Sequence, residues 1–151
     1  MAISQQKFRE IVFQLLFSNC FQASEEEDLV EFMMAQLSVT KKVVKEAMRK
    51  WKAILGQLPQ IDEIIRTFSL DYGFNRIAEV EKNVLRLSVY ELYFEKEIPP
   101  KVVIAEGIRL TRKFSIKESS AFVNAVLDSL FQESVLKGTK QDAELAAISA
   151  E

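Results

Sequence analysis

Lys101, Arg109, Arg112, Lys113 and Lys117 stand against a single acid, Glu106, across residues 101–117. A second basic run, Lys41, Lys42, Lys45, Arg49, Lys50 and Lys52, stands against Glu46 alone. Cations at such density neutralise phosphate, although lysines on an amphipathic helix are also an ordinary solvated face, and both readings stay open for the second run. The overall formal charge is −2, so attraction for a polyanion has to be local rather than global. Catalysis is poorly provided for. The chain has no histidine, which removes the commonest general base and metal ligand, and it lacks a Cys-x-x-Cys pair, a Gly-rich phosphate loop and a Gly-x-Ser-x-Gly elbow. No enzyme activity, metal or cofactor is expected.

The elements that position these groups read as helices throughout. Residues 4–22 put Phe8, Ile11, Val12, Leu15, Leu16 and Cys20 on one face, with Ser4 as cap. Phe13, Phe17 and Phe21 follow an adjoining line, either as core or as an aromatic stripe for a partner. Ser24 and Glu27 have capping-box spacing before Leu29, Phe32, Met33 and Leu37. Thr40 caps a third helix whose apolar stripe is Val43, Val44, Ala47, Met48, Trp51 and Leu55, closing at Gly56. A fourth runs through Ile61, Ile64, Ile65 and Phe68. The central helix is expected over 78–101, on Ile77, Val80, Val84, Leu87 and Leu92 flanked by Leu85 and Val89, stopped by Pro99 and Pro100. In the next helix Gly107 marks a close helix contact. Ser115 caps the seventh, with Glu118 at the capping-box position and Val123, Val126, Leu127, Leu130 and Phe131 on its buried side.

The composition has four glycines, three prolines and no alternating strand pattern, which predicts an all-α fold. Residues 1–133 form one domain with parts at about 4–56 and 57–133, and 134–151 form a mobile tail. One cysteine and no apolar run approaching roughly 18 residues predict a cytoplasmic protein with no membrane contact.

Three stretches together resemble the NusB family of bacterial transcription antitermination factors. They are Val80-Glu-Lys-Asn-Val-Leu-Arg-Leu-Ser-Val-Tyr-Glu-Leu92, Ile98-Pro-Pro-Lys-Val-Val-Ile-Ala-Glu106, and Lys113-Phe114 followed by Phe122-Val-Asn-Ala-Val-Leu-Asp128. Arg9-Glu10 and Gln14-Leu-Leu-Phe-Ser18 resemble the family's first helix. The resemblance implies about seven helices in two antiparallel helical bundles, three helices in the first and four in the second. It implies a non-enzymatic factor of the RNA polymerase antitermination complex that binds single-stranded boxA-like RNA with ribosomal protein S10, also called NusE, and so supports ribosomal RNA transcription. The implied RNA surface joins the start of the first helix to the start of the seventh, through Gln6, Lys7, Arg9, Lys113, Lys117, Glu118, Phe122 and Asn124. Lys7 and Arg9 would face phosphates, Phe122 a base, and Asn124 would hydrogen-bond. Phe122 has an equally plain reading as a cap on the core. The implied protein-partner surface holds Glu81, Lys82 and Tyr90, with Glu81 projecting away from the Val80–Val84–Leu87 line. Arg86 and Glu91 read as a structural ion-pair network.

The chain departs from the family pattern at Gln5 and Gln6, where arginines are usual, and at Ala105 and Ala125, where asparagine and glycine are usual. Losing two phosphate contacts lowers the salt dependence of binding to a single strand by roughly 1.4 units. An S10-binding interaction module with weakened RNA affinity is therefore the alternative, and a homodimer that stores the protein through Phe13–Phe17–Phe21 is another.

Overall fold

The computed structural model describes residues 3–18, 26–69 and 73–133. Within them the chain forms α1 (Gln5–Phe17), α2 (Glu26–Leu37), α3 (Lys41–Gly56), α4 (Leu58–Phe68), a 3-10 turn at Phe74–Arg76, α5 (Glu79–Phe94) and α6 (Pro100–Phe114), then α7 over 119–133. No strand occurs among the described residues, and the fold is all-α as expected. No helix among them is long and apolar enough to cross a membrane. The expected tail after 133, the Ser24 capping box, and Cys20 and Phe21 lie outside the described residues.

Local chemistry explains most boundaries. The Ser4 hydroxyl accepts from the Lys7 amide at 3.1 Å and Thr40 from the Val43 amide at 3.3 Å, each satisfying an otherwise orphaned donor worth about 1 kcal/mol. The prolines act differently from the expectation. α5 ends at Phe94, not at 101, because the chain turns at Glu95, whose carbonyl accepts from the Ile98 amide at 3.0 Å. Pro99 and Pro100 instead open α6, where proline's fixed φ and missing amide hydrogen cost nothing.

α5 is the axis of the molecule. It packs against α1, α3, α4 and α6, and Val84, Leu85, Leu87 and Val89 are at most 1% exposed. Gly107 lets α6 approach its neighbours. A Cβ there would lie 2.7 Å from Leu127 Cδ1 of α7 and 3.1 Å from Ser88 Oγ of α5.

An ion-pair network runs through this packing. Arg9 of α1 holds Glu91 of α5 at 3.0 Å and reaches Glu106 of α6 at 3.5 Å. Lys50 of α3 bonds Glu91 at 3.1 Å and Glu95 at 3.3 Å. Arg109 bonds both Glu106 and Glu10, and Lys113 bonds Glu10 at 3.0 Å. Four cations meet four carboxylates, so the network is charge-balanced and its buried members are paired. Separately, the Arg86 fork donates to both Asp62 oxygens at 2.9 and 3.0 Å, tying α4 to α5.

Candidate nucleic-acid and partner interface

The start of α1 is bound to the end of α6. Arg109 donates to the Gln6 carbonyl at 3.2 Å, and Lys113 and Arg109 share the Glu10 carboxylate. Burial pushes the Glu10 pKa up, but the hydrogen bonds and charges of Arg109 and Lys113 outweigh it and hold the carboxyl below its usual range. The Arg109 guanidinium, opposed by its own burial, is raised by Glu10 and Glu106. Gln6 and half-buried Lys7 thus sit on one seam with the mostly exposed Lys113. Arg9 does not join them. It is 4% exposed and committed to Glu91 and Glu106, so the expectation that it faces phosphate is corrected. Residues two apart on a helix point about 200° apart, and Lys7 and Arg9 therefore serve opposite sides of α1.

The chain leaves α6 through a turn at 115–118 into α7. Ser115 is not the cap of α7, which begins at 119; its hydroxyl donates to Glu81 Oε1 at 2.5 Å. This bond and the turn cover Glu81, which is 4% exposed rather than projecting outward, a second correction. Burial raises the Glu81 pKa, yet hydrogen bonding, that of the Ser115 hydroxyl foremost, outweighs it and lowers the pKa. Glu81 Oε2 is buried with no hydrogen-bond partner. The carboxylate lines a cavity of about 290 Å³ shared with Arg76, Ile77, Ala78, Glu118, Ser119 and Phe122. Lys117 and Glu118 are exposed on the turn, and Phe122 is half-buried. Asn124 is exposed on the flank of α7 away from Phe122, since the two are about 200° apart on the helix. One ligand surface at this cavity brings together Glu118 and Phe122 but not Asn124.

The expected protein-partner residues do not share a patch. Lys82 is 8% exposed, its ammonium 4.5 Å from the Phe74 ring centroid and 3.6 Å from Glu79. Tyr90 lies half a turn round α5 from Glu81, stacked on Phe94 at 5.3 Å. Burial, then the charges of Glu95 and Glu97, raise the Tyr90 pKa. The Phe13–Phe17 line divides. Phe13 is 2% exposed and packs on Phe114 at 4.8 Å, whereas Phe17 is 48% exposed. Phe17 borders a trough of about 420 Å³ with Phe32, Met33, Leu37, Val80 and Phe114.

With this geometry in place, comparison with known proteins settles the family. The model of the NusB family matches residues 6–132. This chain belongs to the NusB family. It is 39% identical over 132 residues to the transcription antitermination protein NusB of Chlamydia pneumoniae, covering 87% of this chain and 82% of that one. It is 36% identical over 133 residues to that of a Thermotoga species, strain RQ2, covering 88% and 94%. Among solved structures, T. maritima NusB is 33% identical with a TM-score of 0.73, covering 88% of this chain and 94% of that one. A structure described as antitermination factors NusB and NusE in complex with dsRNA shares the fold, with a TM-score of 0.71 at 24% identity over 85% and 96% of the two chains.

Within this NusB-family fold, sequence reasoning missed Arg76 and Ser119, which line the cavity with Glu81 and Phe122, and gave Ser115 a capping role in place of its bond to Glu81. Arg76 carried one usable signal, its place immediately before the central helix. The serines had none, since the role of Ser115 depends on a contact 34 residues back along the chain. Ala105 and Ala125 are both exposed.

Proposed function

We propose that this protein is a non-enzymatic transcription antitermination factor of the cytoplasm that binds boxA-type single-stranded RNA together with ribosomal protein S10 in the RNA polymerase antitermination complex. The observation that carries this function is the family match over residues 6–132, joined to 39% identity with a NusB antitermination protein. The geometry supports an RNA surface along the α1–α6 seam and round the turn into α7. There Gln6, Lys7, Lys113 and Lys117 offer donors and positive charge, and Glu118 and Phe122 border a cavity. Such an arrangement suits single strands, which are held by backbone cations and read by stacking and base edges. S10 is assigned to the apolar trough rimmed by Phe17 and Phe32, which are 48% and 50% exposed.

The test is a titration of boxA-type RNA and a scrambled RNA of equal length, with and without S10. The proposed function requires tighter binding of the boxA-type RNA, enhanced by S10. Equal affinity for the two RNAs under both conditions removes it. The burial of Arg9 favours one second reading, an S10-binding module with weak RNA affinity, because it leaves Lys7 as the one cation of the α1 start turned away from the core. Intact S10 binding with low, sequence-blind RNA affinity distinguishes that module. A homodimer through the same trough would instead show as concentration-dependent mass in light scattering.

A further inference from the structure

We propose that Phe114 is the positioning residue through which S10 in the trough orders the RNA surface, so that the two ligands bind with positive cooperativity carried by the end of α6. This inference rests on the RNA and S10 assignments proposed above and goes beyond them, since those give each ligand its own site and name no residue that links the two.

The first ground is what three successive residues hold. Lys113 bonds Glu10 of α1 at 3.0 Å, on the RNA seam. The Phe114 ring packs on Phe13 of α1 at 4.8 Å and borders the trough. The Ser115 hydroxyl donates to Glu81 of α5, and Glu81 lines the cavity beside the turn at 115–118. Successive helical residues point about 100° apart, so the end of α6 sends one side chain to each place. All three share one short stretch of backbone, and holding the middle residue restrains its neighbours.

The second ground is a wall common to the trough and the cavity. Val80 and Phe114 line the trough, whereas Glu81, one residue on from Val80, lines the cavity and is tied to Ser115, one residue on from Phe114. Two pairs of adjacent residues therefore stand between the two recesses, and the Ser115–Glu81 bond joins them. Close-packed groups of this kind transmit a displacement rather than absorb it.

The third ground is that the RNA side is loosely held. Lys113 is 52% exposed, and an ion pair so open to water restrains its lysine weakly. The turn carries exposed Lys117 and Ile116, the latter 64% exposed, and it is closed by the Ser119 and Ser120 amides, which donate to the Ile116 and Lys117 carbonyls at 3.1 Å. Backbone hydrogen bonds in so exposed a turn open readily. RNA must then order Lys113 and the turn as it binds, at an entropic cost. S10 seated against Phe114 meets part of that cost beforehand, which raises RNA affinity without a change of fold. By linkage, RNA raises S10 affinity by the same factor.

The experiment titrates boxA-type RNA into the full chain, alone and with saturating S10, and reads the ratio of the two affinities. In wild type the ratio should be about tenfold or more, and Phe114→Leu, which stays apolar but withdraws the ring, should cut it by about fivefold. Phe32→Ala, across the trough on α2, should weaken S10 binding yet leave the ratio at saturation unchanged, since α2 packs chiefly on α3. A merely structural role for Phe114 would lower stability and both affinities without moving the ratio, and thermal melts accompany each variant. Hydrogen exchange of the wild type gives a reading that needs no variant. S10 should slow the Ser119 and Ser120 amides and leave the Ile98 amide, in the turn after α5, unchanged. A wild-type ratio of one overturns the proposal, as does an unchanged ratio in folded Phe114→Leu or an equal fall in Phe32→Ala. If Phe114→Leu does not fold, the exchange decides, and unslowed Ser119 and Ser120 amides overturn it. Two controls are read first: equal binding of scrambled RNA removes the RNA function itself, and S10 binding indifferent to Phe32→Ala removes the trough assignment.

Discussion

Two cations at the start of α1, two residues apart, have opposite fates, and the difference is physical rather than chemical. Arg9 is enclosed with Glu91 and Glu106, 82 and 97 residues along the chain, while Lys7 stays at the surface of the seam. Removing Arg9 takes one of two cations from each of two buried carboxylates, Glu91 keeping Lys50 and Glu106 keeping Arg109, a loss at the lower end of the roughly 3–5 kcal/mol for a broken buried pair. Arg9→Gln should therefore lower the melting temperature by roughly 10 °C or more. Lys7→Gln should leave it unchanged and reduce the salt slope of RNA binding by about 0.7. Calorimetry and a salt titration of the two variants check this, and equal melting temperatures would sink the assignment. Glu10 gives a prediction in pH. Its folded pKa is depressed below the ordinary 4.5, so the stability it contributes is complete above that value and is lost as pH falls through the depressed pKa. Glu10→Gln should thus be clearly less stable than wild type at neutral pH. The gap between their melting temperatures should narrow as pH drops below about 4, and a gap that stays constant into acid counts against the depressed pKa.

At the scale of the element, what could be read in the sequence was whatever depends on a few neighbouring residues. Ser4 and Thr40 cap the helices they precede, and Gly56 closes α3. Val43, Val44, Ala47 and Met48 of the α3 stripe and Val123, Val126, Leu127 and Leu130 of the α7 stripe are buried as their spacing required, whereas Leu55 is 40% exposed and Ile54 takes the buried place beside it. Gly107 was legible for the same reason, since a glycine inside a helix pattern needs a packing cause. That cause is Leu127 at 2.7 Å from its missing Cβ. Leu127 is fully buried and Ser88 is 2% exposed, so neither can move aside freely. Overpacking costs about 1–3 kcal/mol, and the better helix propensity of alanine returns about 1 kcal/mol. Gly107→Ala should be destabilising by about 1 kcal/mol net, measured by urea denaturation, and a stabilised variant would show that α6 and α7 can separate slightly. Glu81 was not legible. α5 is covered on nearly every side, and what covers Glu81 is a turn at 115–118 whose contact leaves no pattern in the local sequence. Pro99 and Pro100 misled for a related reason. A proline pair forbids a helix before it and favours one after it, and spacing alone does not say how far back the earlier helix stopped.

At the scale of the whole molecule, charge is sorted by depth. The network of Arg9, Lys50, Arg109 and Lys113 with Glu10, Glu91, Glu95 and Glu106 consumes cations that the sequence presents as a basic surface, and it joins α1 and α3 to α5 and α6. The formal charge of −2 adds no long-range attraction. RNA affinity must then come from the cations outward at the seam and the cavity, namely Lys7, Arg76, Lys117 and Lys113, the last of which bonds Glu10 yet is 52% exposed and so still faces solvent. Each phosphate neutralised on a single strand contributes about −0.7 to the slope of log affinity against log salt concentration. Four such contacts predict a slope of about −3 for boxA-type RNA in the presence of S10, shallower than an arginine-rich α1 would give. Removing Lys117 as Lys117→Gln should reduce the slope by about 0.7, while an equivalent change on α3, Lys45→Gln, should leave it unchanged. A slope near −1 would mean that the seam carries little of the binding and would shift the weight to the S10-binding module. A slope lowered by Lys45→Gln would move the RNA path onto the basic face of α3, away from Glu81 and Phe122.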